Sequence, residues 1–172
     1  SEDVTNWNLN YSSNGNADDF AYDVAVDTNG DVFVVGSGSG VVQATTGGDW
    51  WVKKFNSSGA ENITHWNLSF STFDSGKNDE ALGVAIDSNS SVYVVGYGWN
   101  ASGECTNAFN CDNWWIKKFL DNGEEVESDW ALNFSSITTG NARAERVVID
   151  SNDKIYIAGW GNDINGSNKG DD

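Results

Sequence analysis

Polar and apolar residues alternate along this chain in runs too short for helices, separated by turn-forming residues. Tyr22, Val24 and Val26 are apolar at every second position, the period of a strand. Residues 27–31 (DTNGD) follow as a tight turn, with Asn29 and Gly30 suited to positive φ. Residues 32–35 are almost continuously apolar, as in a strand covered on both faces. A glycine-rich loop leads to a third strand at 50–55, and residues 56–59 (NSSG) turn the chain into a fourth at 63–70. No segment holds the 3.6-residue helical period over a useful length.

The unit then recurs about every sixty residues. Residues 21–36 (AYDVAVDTNGDVFVVG) return as 81–96 (ALGVAIDSNSSVYVVG) and as 144–159 (AERVVIDSNDKIYIAG). Residues 50–55 (WWVKKF) return once, as 114–119 (WWIKKF). Residues 7–11 (WNLNY) return as 66–70 (WNLSF) and 130–134 (WALNF). Four antiparallel strands per unit, arrayed in tandem, predict an all-β fold of β-propeller-like blades, about three repeats with the last incomplete. A lone four-stranded sheet exposes both faces, and stacking blades buries the Val, Ile, Phe and Trp rows between them.

The pattern divides one repeat domain, 1–172, into a fourth strand of an incomplete blade (1–11), complete blades at 20–70 and 81–134, and the first half of a third blade (144–172). That division predicts eleven strands. A tail-to-head join lacks one Trp-Trp strand with its turn, roughly ten residues. The chain has no Met and no basic-then-apolar leader, so it reads as a mature or excised segment. An open pair of blades leaves apolar faces bare, so the expected partners are further repeats of the same chain or other copies of it.

Residues 15–27 (GNADDFAYDVAVD), 31–36 (DVFVVG) and 51–55 (WVKKF) resemble the SBBP-type β-propeller repeats of secreted bacterial and archaeal proteins. The resemblance runs in three registers over nearly the whole chain. It implies the blade fold, and for function only that such repeats serve as scaffold in varied surface and extracellular proteins. This sequence departs from the pattern in its Trp-Trp pairs, in its many glycosylation acceptors and in Glu145, where the third repeat lacks the usual Tyr or Leu.

Charge and composition narrow the function. A net charge of −17, from 26 acids and 9 bases, argues against nucleic acid and anionic lipid. No apolar run is long enough to span a membrane. Eight Asn-X-Ser/Thr acceptors occur, at Asn10, Asn56, Asn62, Asn67, Asn89, Asn100, Asn133 and Asn165, about twice what composition alone supplies. Strand alternation places Asn8 and Asn10 opposite Trp7, Leu9 and Tyr11, and it puts Asn67 and Asn133 on the same outward face. N-linked glycans on a secreted protein are one reading; a simple preference for Asn and Ser at the surface is the other. Cys105 and Cys111 share one loop, four residues longer than its first-repeat counterpart. A disulfide in an oxidising compartment suits them better than a metal pair, which has no further ligands nearby.

The candidate chemistry is sparse. Asp27, Asn29 and Asp31, with Asp150 and Asn152, have the Asp-x-Asn look of calcium loops, but the bidentate Glu of such loops is not in register. The competing reading is a turn. Asp18, Asp19, Asp79 and Glu80 precede the innermost strands, where they either line a central axis or sit as solvated loop acids. His65 is the only histidine, and no nucleophile–base set assembles around it, so no enzyme and no cofactor are expected. Trp7, Trp50, Trp51, Trp66, Trp114, Trp115 and Trp130 recur at repeat positions, as packing demands. Adjacent tryptophans on a strand face opposite ways, one to each neighbouring blade. Trp99 and Trp160 are read as loop residues that stack on sugar rings or complete an interface. These features together predict a non-catalytic, extracellular, glycosylated structural protein, a subunit or segment of a surface filament or array. The alternative is a carbohydrate- or protein-binding propeller module of a larger secreted protein.

Overall fold

The computed structural model describes residues 7, 18–41, 47–72, 76–101, 111–130, 132–134 and 140–162. Three antiparallel sheets stack side by side. The first blade has strand order β1 (Asp19–Val26), β2 (Val32–Ser39), β3 (Gly48–Phe55), β4 (Leu68–Phe70). The second repeats it with β5 (Glu80–Ile86), β6 (Val92–Trp99), β7 (Asp112–Phe119) and β8 (Leu132–Phe134). The third sheet pairs β9 (Ala142–Ile149) with β10 (Ile155–Gly161). The fold is all-β and propeller-like, as the repeat predicts.

Register repeats with the sequence. Val32 faces Phe55 across β2–β3, and Val92 faces Phe119 across β6–β7. Each inner hairpin carries a bulge at the same place, between Ala21 and Asp23, between Ala81 and Gly83, and opposite Glu145 at Ala158–Gly159.

The fourth strand is shorter than its alternation suggests. Residues 63–65 form a turn, and the amide of Trp66 donates to the Asn62 carbonyl at 3.1 Å. The second blade closes the same turn as α1 (Glu127–Trp130). This turn swings the tryptophan under the blade: Trp66 meets Phe33 edge-on at 4.9 Å, and Trp130 meets Tyr93 at 5.0 Å.

The core lies between blades. Phe33, Val35, Trp50, Val52 and Trp66 of the first blade pack on Val84, Val92, Val94 and Phe119 of the second. Tyr93, Val95 and Ile116 pack in turn on Ala144 and Val147 of β9. Adjacent tryptophans do face opposite ways. Trp50 reaches forward and donates its Nε1–H to the Tyr97 carbonyl at 2.8 Å, and Trp114 donates to the Trp160 carbonyl at 2.9 Å. Both rings need a glycine beneath them. A Cβ at Gly96 would lie 2.9 Å from Trp50 Cζ2, and one at Gly159 would lie 2.7 Å from Trp114 Cζ2. Blade follows blade through a repeated indole-in-glycine socket.

Candidate functional site

The Asp turns close on themselves. Asp27 Oδ1 accepts from the amides of Asn29 (2.9 Å) and Asp31 (2.8 Å). Asp150 Oδ1 accepts from Asn152 (2.9 Å) and Lys154 (3.0 Å), and these bonds hold its carboxyl below the usual range. Asp31 is paired with Lys54 Nζ at 3.1 Å. Asp27 Oδ1 and Asp150 Oδ1 are thus engaged by their own turns, and Asp31 Oδ2 by a lysine. Among the described residues no group of three or more His, Cys, Asp or Glu gathers where a metal would sit. The outer carboxylate oxygen differs between copies. Asp87 Oδ2 accepts from Tyr93 (3.0 Å) and Asp150 Oδ2 from Tyr156 (3.2 Å), but Asp27 Oδ2 is buried without a partner because Phe33 stands there.

Polar chemistry is densest where the second blade meets β9. Trp99 ends β6 and Trp160 lies within β10, so both sit in strands and not in the loops assigned to them. The strands run on because β6 stays paired with β7 through Trp99 and β10 with β9 through Gly161. Trp160 Nε1 donates to Glu145 Oε1 at 3.0 Å, which gives the third repeat's departure at Glu145 a structural use. Lys77 Nζ lies 5.3 Å from the centre of the Trp99 ring. Asp79, 1% exposed, accepts from the amides of Thr72 (2.7 Å) and Trp99 (2.8 Å). It is a buried clasp and not a solvated loop acid. Burial pushes its carboxyl up to about 6 despite those bonds.

Beside it, Arg143 donates through Nε (2.9 Å) and Nη2 (2.5 Å) to Asp112 Oδ2, with its guanidinium 3.9 Å from the centre of the Tyr97 ring. Burial works against the Arg143 charge, but the Asp112 hydrogen bond prevails and raises its pKa. Burial, then the Glu80 charge, drives the Tyr97 hydroxyl well above its ordinary value. A hollow of about 310 Å³ opens between Lys77, Asn78, Trp99, Asp112, Asn141 and Arg143. Repeat comparison flags two of these: Arg143 stands where the other copies have Phe20 and Glu80, and Asp112 where the first has Gly48. Aligning the repeats shows both departures, but not that the two side chains meet. The hollow offers donors and acceptors of both kinds, suited to holding a hydroxylated ligand.

The other candidates are scattered. Asn56, Asn67 and Asn89 are exposed, and Asn62 and Asn100 are half-buried. Asn56 Oδ1 accepts from the hydroxyl of Ser58, the serine of its own Asn-X-Ser triplet, at 2.7 Å. Asn133 lies on β8 opposite Trp115. Asn10, Asn165 and Cys105 lie outside the described residues, while Cys111 is buried immediately before β7. His65 is exposed in the turn before Trp66.

Sheet order, inter-blade core and sockets together define a propeller-blade repeat protein. Residues 11–41 match the family model of the SBBP beta-propeller repeat, which confirms over that segment the resemblance read from the sequence. No curated protein matches the chain.

Proposed function

We propose that this chain is a non-catalytic, extracellular, glycosylated structural module that joins blade to blade with other copies into a filament or array. One observation carries the reading: the stack displays, at its two outer faces, the two halves of the interface it makes twice inside. Val24 is 58% exposed on the first blade, whereas its counterpart Val84 is 5% exposed under a neighbouring blade. Tyr156 is 54% exposed on the third sheet, whereas its counterparts Phe33 and Tyr93 are 0% and 3% exposed. Apolar strand faces of this kind favour association.

Sedimentation velocity over a concentration series tests this, with Val24→Glu blocking the first face and Val148→Glu the last. The unmodified chain grows with concentration, each variant alone falls short, and an equimolar mixture recovers a dimer through the two intact faces. A monomer at every concentration, or growth indifferent to both substitutions, overturns the proposal.

Secretion draws its support from the eight acceptors and from the cysteines. Cys111 is buried and no cysteine among the described residues is free. The proposed Cys105–Cys111 disulfide leaves no titratable thiol in the unfolded chain, and two titratable thiols would remove it. Glycosidase treatment lowers the mass of the native chain; an unchanged mass removes the glycans.

A second reading, carbohydrate recognition, draws on the hollow beside Arg143, whose polar lining departs from the repeat. Glycan binding that is lost in Trp99→Ala favours it.

A further inference from the structure

The two internal sockets are filled by the blade before them. Trp50 covers Gly96, and the second blade's own Trp115, directly across the strand from Gly96, is pushed toward Gly98, with its ring centre 4.8 Å from that of Trp50. The first blade has the same socket. A Cβ at Gly36 would lie 1.9 Å from the Phe20 carbonyl, as one at Gly96 would from the Glu80 carbonyl. Here the indole over the glycine belongs to Trp51, directly across the strand from Gly36, with Cζ2 2.5 Å from the Cβ position. Trp51 is 4% exposed, although it lies on the outer face of its blade.

A hollow of about 270 Å³ remains beside it, lined by Phe20, Val34, Trp51, Lys53 and Phe55. Val34 and Phe55 correspond to Val94 and Phe119, both 0% exposed beneath the first blade. Trp7 lies 6.2 Å from Phe55, as Trp66 lies 5.9 Å from Phe119. The counterpart of the Trp66 contact is therefore present in Trp7, and a counterpart of Trp50 is the piece unmatched.

We infer that the outer face of the first blade is a docking site for the first tryptophan of a Trp-Trp-x-Lys-Lys-Phe strand from another blade, and that Trp51 is a plug that yields to it. The incoming indole takes the place over Gly36 and donates to the Ser37 carbonyl, as Trp50 does to Tyr97. Trp51 then moves aside, as Trp115 has. This rests on the blade-to-blade assembly proposed above and adds the strand that completes it.

The probe is a blocked octapeptide with the sequence of residues 112–119 (DNWWIKKF), titrated against the whole chain by fluorescence anisotropy. It binds with one-to-one stoichiometry, and replacing its first tryptophan by alanine weakens binding about tenfold or more, while replacing the second changes it by about threefold or less. Trp51→Ala binds the peptide about fivefold tighter or better because the plug is gone, and Trp51→Phe falls between. No binding, equal sensitivity to both peptide tryptophans, or no gain in either Trp51 variant overturns the inference. Sedimentation of the unmodified chain separates the two proposals: end-to-end growth with a failed peptide titration discards the plug alone.

Discussion

Phe33→Tyr should stabilise this protein, which is unusual for a change that adds a hydroxyl to a residue with no exposed surface. The reason is the orphaned Asp27 Oδ2. In the other two repeats a tyrosine six residues on donates to this oxygen, from Tyr93 at 3.0 Å and Tyr156 at 3.2 Å. The second blade also shows that the ring position accepts tyrosine. Tyr93 meets Trp130 at 5.0 Å with Lys118 5.1 Å above it, and Phe33 meets Trp66 at 4.9 Å with Lys54 4.9 Å above it. A hydrogen bond to a carboxylate contributes about 1.5–3 kcal/mol, and desolvating the new hydroxyl offsets part of it, leaving a net gain of about 1 kcal/mol. The reverse change, Tyr93→Phe, strips Asp87 Oδ2 of its donor and costs about 1–2 kcal/mol. Urea unfolding of both variants beside the parent reads the pair directly, with each kcal/mol worth about 3 °C in melting temperature at this length. A destabilised Phe33→Tyr, or a Tyr93→Phe without cost, would refute the equivalence of the two sites.

The remaining predictions concern the buried acid and the sockets. The Asp79 carboxyl is raised to about 6 from an unfolded value near 3.8, so the folded state holds its proton more tightly. Its stabilising effect is fully present below the unfolded value and is lost as pH rises through about 6, on the order of 3 kcal/mol. Melting temperature should therefore climb from pH 7.5 to pH 5 more steeply in the parent than in Asp79→Asn, and parallel slopes would show that burial does not shift this group. Trp50→Phe leaves the Tyr97 carbonyl without its indole donor and opens a cavity, costing about 3 kcal/mol in urea unfolding. Gly159→Ala places a methyl 2.1 Å from the Arg143 carbonyl and 2.7 Å from Trp114 Cζ2, so it costs about 3 kcal/mol and loosens β9–β10 from the second blade, readable as faster amide exchange there.

Much of the blade was legible from period-two alternation and turn residues, because strand pairing within a hairpin is local. The β1–β2 and β9–β10 hairpins follow the Asp-x-Asn turns, and the second follows Asp87 with Ser90 at φ 63°. The fourth strand is absent over 63–67, where alternation continues but the amide of Trp66 turns back on Asn62. The hollow beside Arg143 was not legible as a site, since Asp112 and Arg143 are 31 residues apart and meet only when β7 packs beside β9. The Asp turns were legible as turns, in which the first aspartate's Oδ1 accepts from backbone amides two and four residues on.

The sequence by itself determined the unit: four strands, tight turns, a glycine under every socket and two tryptophans aimed at opposite faces. Tertiary structure alone decided which copy of each residue is covered. Val24 and Val84 occupy one repeat position and differ from 58% to 5% in exposure, and Trp51 and Trp115 share a position yet lie over different glycines. Alternation is written along one chain segment and specifies a side chain's direction, whereas burial is supplied by whatever stands opposite. In a stack of blades that neighbour is another repeat, and the same residue is core or surface according to whether the repeat is there.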